Sequence, residues 1–254
     1  MYLEKWYADT ISNGHTQILY RANLHLGGAT IGYSGILSPT CRSHVSVSLR
    51  GTTLPTLLDD RICWPATANE PLLIWHNARS RARDLWQHDG RKITWNPLVL
   101  NGKSNTGEPH HRAGGGYVER LTMNFAPWHL GLDLLKWGRY CGPKHSLVWI
   151  EWCGQFPMRL TLLDGVDESL ESADRRVIRT RNAQLDIDNP VEITDEPLGT
   201  GALRPLSWIR MFAAQRVQRF LAGVETKWVA EATLTTQSGE TERGTVIYEE
   251  VRWP

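Results

Sequence analysis

Period-two alternation of apolar and polar residues recurs through this 254-residue chain almost from end to end, and it confines the fold to β-structure. In QILYRANLHL, Ile18, Tyr20, Ala22, Leu24 and Leu26 fall on one face, with Arg21, Asn23 and His25 on the other. SHVSVSLR repeats the pattern with Val45, Val47 and Leu49. DLWQHDGRKITW reads as two strands joined at Asp89-Gly90, a pair suited to the positive backbone angles of a tight hairpin turn. Further strands are expected at LLIWHNAR, GYVERLTMNF, LLKWGRY, HSLVWIEW, FPMRLTLLDG, RRVIRTRN, ETKWVAEATLTT and GTVIYEEVRW. So many strands separated by turn signals predict an all-β barrel or sandwich.

One segment departs from this pattern. PLSWIRMFAAQRVQRFLAG has Ile209, Phe212, Ala213, Val217, Phe220 and Leu221 at helical spacing and Gly223 as a stop, which predicts one main helix near residues 206–221. Arg210, Arg216 and Arg219 form its solvated basic face. The polar, glycine-rich stretch NGKSNTGEPHHRAGGG at 101–116 reads as a linker or mobile loop, dividing the chain into units 1–112 and 113–254. No internal sequence repeat is evident.

Charge and motifs narrow the function. Lys plus Arg number 28 against 27 Asp plus Glu, so no net field gathers nucleic acid. No window reaches transmembrane length, so stable membrane insertion is not expected. The opening MYLEKWYAD shows no cationic leader, and Cys41, Cys63, Cys141 and Cys153 form no CxxC pair; both features point to reduced thiols in the cytoplasm. There is no GxGxxG before a helix, GK[ST] loop, HExxH or GxSxG, and His110-His111 has no third ligand at useful spacing, so neither cofactor nor metal is expected. The sequence is compatible with a homo-oligomer. Twelve tryptophans are the compositional outlier, suited both to cores and to the walls of a pocket for a hydrophobic small molecule.

The chemistry-bearing candidates lie on three strands. In GYVERLTMNF, Tyr117, Glu119, Leu121, Met123 and Phe125 share one face, which sets a lone carboxyl in an apolar row. Burial there penalises the charged form and favours a protonated general acid; a structural Glu paired with Arg or Lys is the other reading. LLKWGRY aligns Leu135, Trp137 and Arg139, and SLVWIEWC aligns Leu147, Trp149, Glu151 and Cys153. Arg139 is placed to orient a carboxylate or anchor a ligand oxygen, and Glu151 is a second acid or the salt-bridge partner of Arg139. Tyr117, Met123, Phe125, Trp137 and Trp149 are the expected ligand contacts.

Gly116-Tyr117-Val118-Glu119, followed by Trp137-Gly138-Arg139 and Ser146-Leu147-Val148-Trp149, resembles the lipocalin-like barrels of the carotenoid hydratase (hydroxyneurosporene synthase) and AttH-like group. The likeness covers residues 115–150. It implies two lipocalin-type β-barrel units and a deep hydrophobic pocket, used for cofactor-independent hydration, cyclisation or isomerisation of polyene or isoprenoid-like molecules. Glu119 stands at the group's acidic position with one more methylene, while Val118, Leu121 and Thr122 replace its His, Asn and Trp. These departures argue against carotenoid hydration itself. A non-catalytic carrier with the same pocket is the alternative.

Overall fold

The structure, a computed structural model, describes residues 1–12, 15–40, 43–67, 72–105, 114–200 and 215–254. They form two compact units, Met1–Pro127 and Trp128–Pro254. The first contains β1 (Tyr2–Ser12), β2 (His15–Leu26), β3 (Ala29–Leu37), β4 (His44–Ser48), β5 (Thr56–Leu58), β6 (Arg61–Trp64), β7 (Leu73–His76), β8 (Arg83–His88), β9 (Arg91–Asn105) and β10 (Gly114–Met123). The second contains β11 (Leu132–Cys141), β12 (Ser146–Gly154), β13 (Met158–Leu163), β14 (Val166–Glu168), β15 (Leu170–Ala173), β16 (Val177–Thr180), β17 (Ala183–Pro197), α1 (Gln215–Leu221), β18 (Val224–Thr236) and β19 (Thr241–Arg252).

Both sheets are antiparallel meanders whose first strand pairs with their last. The orders are β4-β3-β2-β1-β10-β9-β7-β6-β5, with β8 also paired to β9, and β14-β13-β12-β11-β19-β18-β17-β16-β15. The seam in the second sheet falls between β14 and β15, which are separated by Ser169 alone, so its two free edges meet and the sheet is nearly a closed barrel. The first sheet has its seam at the equivalent place, between β4 and β5.

Strand β10 explains why the units divide at residues 127 and 128, where the sequence placed the division at 112 and 113. It pairs along its length with β1 and with β9, so residues 114–123 belong to the first unit. Much of the expected linker is therefore strand, since β9 runs to Asn105 and β10 begins at Gly114; 106–113, including His110 and His111, lie outside the described residues. Gly116 serves close packing here: a Cβ at that position would lie 2.6 Å from the Trp75 indole nitrogen.

The expected hairpin at Asp89-Gly90 forms, with φ of 48° and 72°. Strand β17 was not anticipated, because Asp-Asn-Pro interrupts its alternation; the ladder to β18 shifts register between Asp188 and Val191, a bulge that accommodates Pro190. Of the expected helix at 206–221, α1 covers Gln215–Leu221, and the preceding residues lie outside those described. Leu221 is buried, while Arg216 and Arg219 are exposed. Cys63 and Cys153 are free thiols, and Cys41 is outside the described residues.

Each unit has its own apolar core. In the first, Trp6, Ala8, Leu19, Val118 and Leu98 pack with Trp64 and Trp75. In the second, Tyr140, Leu147, Trp149, Leu234 and Val246 pack with the stacked rings of Trp228 and Tyr248, 5.0 Å apart. Trp149 can lie across β11 because its neighbour there is Gly138, where a Cβ would run into the indole ring.

Trp149 is therefore a core residue of the second unit. Trp149→Ala should cost about 3–5 kcal/mol in denaturant unfolding, and Gly138→Ala should destabilise by about 1–3 kcal/mol or more through overpacking. An unchanged urea midpoint for both variants would contradict this packing.

Candidate functional site

The β1–β10 ladder sets Tyr7 opposite Glu119 and Asp9 opposite Tyr117, while β2 brings Tyr20 opposite Tyr7 and β9 brings Trp95 opposite Leu121. Val118 and Ala8 belong to the core, so these neighbours point to the opposite face of the sheet. That face is also buried: Tyr117 and Asp9 are 0% exposed and Glu119 is 8% exposed. Register shifts flank Val118 in the β9 ladder, where Pro97, which has no N–H to give, stands opposite Glu119.

Two donors converge on one carboxylate oxygen. Trp95 Nε1 donates to Glu119 Oε2 at 2.5 Å and Tyr117 Oη donates to the same atom at 2.7 Å. Asp9 organises the other side: its Oδ1 accepts the Tyr117 amide at 3.2 Å and its Oδ2 accepts the Tyr7 hydroxyl at 3.1 Å. The Tyr7 ring meets Tyr20 and Tyr117 edge-on, with centroids 5.3 and 5.9 Å away. Burial, followed by the charge and hydrogen bond of Glu119, holds the Tyr117 phenol well above its ordinary value. Tyr117 is thus a constant donor at neutral pH, and the indole N–H can only donate. The arrangement stabilises negative charge on Glu119 Oε2, where the sequence had suggested a carboxyl surrounded only by apolar groups.

Met123 is buried at the end of the row. Phe125 lies beyond β10, its ring 5.1 Å from that of Trp86.

In the second unit, register separates residues that the sequence had grouped. Trp137 is opposite Ile150 and Arg139 opposite Val148, whereas Trp149 is opposite Gly138 and Glu151 opposite Lys136. Trp137 and Arg139 therefore face one side of the sheet, and Trp149 and Glu151 the other. Trp137 and Trp149 cannot be walls of one pocket, and Glu151 does not pair with Arg139. Its carboxylate is held instead by Lys136 at 3.0 Å and Arg159 at 2.7 Å. Arg139 is fully buried on the same face as Lys227, also 0% exposed, which bridges Glu225 at 3.2 Å and Glu249.

Sequence reasoning missed Tyr7, Asp9, Tyr20, Trp95 and Lys227. Tyr7 and Asp9 sit in KWYAD, where Trp6, Tyr7, Ala8 and Asp9 are all buried, so no alternation marks a site face. Lys227 fell on the alternate positions of β18, which a one-sided sheet would expose. Among the described residues, no group of three or more His, Cys, Asp and Glu is placed to hold a metal ion. No described helix is long and apolar enough to cross a membrane.

Neither a protein family nor a curated protein matches the chain. Solved structures do. Kievitone hydratase from Nectria haematococca aligns with a TM-score of 0.54 at 10% identity, over 99% of this chain and 88% of that one. CghA with Sch210972 aligns with a TM-score of 0.50 at 8% identity, over 99% and 88%. An AttH-like protein from Nitrosomonas europaea gives 0.47 at 12% identity, over 98% and 91%. The first two likenesses show the fold, an all-β lipocalin-like architecture spanning the whole chain.

The raised phenol of Tyr117 makes a testable link to stability. A folded-state pKa above the unfolded value of about 10 contributes stability that is full below pH ~10 and is lost as pH rises toward the folded value. Tyr248, pushed up to about 12 mainly by burial, acts in the same direction. Urea unfolding between pH 9 and 11 (roughly the window around the free phenol's pKa) should show stability falling with pH less steeply in Tyr117→Phe than in the wild type. Parallel slopes would mean that Tyr117 titrates normally.

Proposed function

We propose that the chain binds a hydrophobic small molecule of isoprenoid or polyene type and acts on it in the cytoplasm by cofactor-independent acid–base chemistry, as a hydratase, cyclase or isomerase. The observation that carries this reading is the buried Glu119 carboxyl, gripped at Oε2 by Trp95 and Tyr117. In hydration, the acid form of Glu119 protonates one alkene carbon, water oxygen bonds to the neighbouring cationic carbon, and the proton released from that water returns to the carboxylate. In isomerisation or cyclisation, the proton is recovered from carbon instead. Each cycle restores the carboxyl group and transfers no electrons, so general acid–base catalysis suffices. Trp95 and Tyr117 stabilise the carboxylate between the two proton transfers. The faces of Tyr7, Tyr20 and Trp95 suit developing positive charge.

The shared fold supports this reading, since one neighbour is by name a hydratase and CghA was solved with Sch210972. In the second unit, Trp137 and Arg139 remain the proposed ligand contacts. Trp149 and Glu151, on the opposite face with partners of their own, are assigned to structure.

An isoprenoid quinone or a linear polyene alcohol should quench tryptophan emission saturably and yield a product of equal mass or one water heavier. Glu119→Gln should retain the quench while turnover falls by about a hundredfold or more. Saturable quenching with no product from the wild type would identify a carrier. Absence of quenching by either ligand would remove the hydrophobic-ligand reading.

A further inference from the structure

We propose that the first unit carries a second ligand site, for a sugar-sized hydroxylated organic anion, in a polar crevice where β7 and β9 part. Among the described residues the two strands pair only at Ile74 with Asn105 and at Trp75 with Ser104. Past that point β7 ends and the chain turns at Asn77, which adopts a left-handed φ of 61°. A crevice of about 500 Å³ opens there, lined by His76, Asn77, Asn101, Lys103, Ser104 and Asn105. That volume lies in the range of small-molecule sites.

The strand pattern explains the lining. Asn101, Lys103 and Asn105 alternate along β9, so they share the face opposite the one on which Trp75 and Ser104 are buried. This is the polar stretch whose composition suggested a linker, and strand formation turns it into a row of amides and one ammonium. None of the described lining residues is acidic.

Two groups define what would bind. Asn105 Nδ2 lies 3.3 Å from His76 Nε2, which uses one end of the amide. The other end, Oδ1, is buried and has no hydrogen-bond partner among the described residues. A desolvated acceptor of this kind calls for a donor, and a ligand hydroxyl supplies one. Lys103, exposed beside it, supplies a cation for a carboxylate or phosphate oxygen on the same molecule. A hydroxyl and an anionic group held a few bonds apart, as in a sugar acid or a sugar phosphate, answer both requirements. The site shares no residue with the Glu119 cluster, so it stands or falls independently of the acid–base proposal.

The test is a titration of the isotope-labelled full-length protein, followed by NMR of the Asn side-chain amides and the His76 ring. The probes are D-gluconate, D-glucose 6-phosphate, D-glucose and inorganic phosphate. Gluconate or glucose 6-phosphate should shift the Asn101, Asn105 and His76 signals saturably, and the tighter of the two identifies the anionic group. Glucose should bind about tenfold more weakly than that ligand, and phosphate alone should not saturate. Lys103→Gln should bring the anion's affinity down to that of glucose, and Asn105→Leu should weaken every hydroxylated probe. Asn101→Ala, at an exposed position, provides a weakened variant that does not depend on refilling a buried site. The proposal is overturned if no probe moves these signals, or if inorganic phosphate binds as tightly as the hydroxylated anions.

Discussion

Antiparallel pairing between the first and last strands of each unit is the constraint on which the rest of the molecule depends. A meander leaves two free edges, each a row of unpaired backbone donors and acceptors. Pairing β1 with β10 and β11 with β19 places the chain ends of each unit in the middle of a sheet and moves the only seam to the fourth turn, at β4/β5 and β14/β15. The central strands created in this way have a hydrogen-bonded neighbour on both sides. They are also buried on both faces, as the unbroken run Trp6 to Asp9 shows.

Burial on both faces explains why the polar groups of the molecule gather on these strands. A carboxylate in such a place needs donors, and register supplies them. Asp9 takes the amide of Tyr117 from the adjacent strand and the hydroxyl of Tyr7 from its own, and Glu119 takes the indole of Trp95 from the adjacent strand and the phenol of Tyr117 from its own. The partners of Glu119 are neutral donors, whereas Glu151 is bound by the cations Lys136 and Arg159. Lys136 and Arg159 are themselves charged, so Glu151 is tied into an ion-pair cluster within its own sheet. Neutral donors against cations are what distinguish the proposed catalytic carboxyl from the one assigned to structure.

The two units repeat a strand plan without repeating a sequence. In both, the first strand meets the last and the seam follows the fourth strand. An up-and-down barrel requires inward-facing apolar residues, turn residues and a few close approaches, and many unrelated sequences meet those terms. Gly116 beneath the Trp75 indole and Gly138 beneath Trp149 show the close approaches met in each unit by its own glycine–tryptophan pair.

The sequence by itself determined the strand-rich class, most of the individual strands, the Asp89-Gly90 hairpin and the alternation that sets Glu119 in one row with Tyr117 and Met123. Those properties follow from side-chain period and turn chemistry within a single segment. Tertiary structure alone decided which strands are neighbours and in what register, because pairing joins residues more than a hundred positions apart, as with Tyr7 and Glu119. For that reason Trp95, the cross-strand partner of Glu119, was illegible, Trp137 and Trp149 were both expected as ligand contacts although they face opposite ways, and the strand ends at 101–105 and 114–116 read as a linker. Period two tells which residues share a face of one strand. Only the ladder of hydrogen bonds between strands tells whether that face looks into the core or away from it.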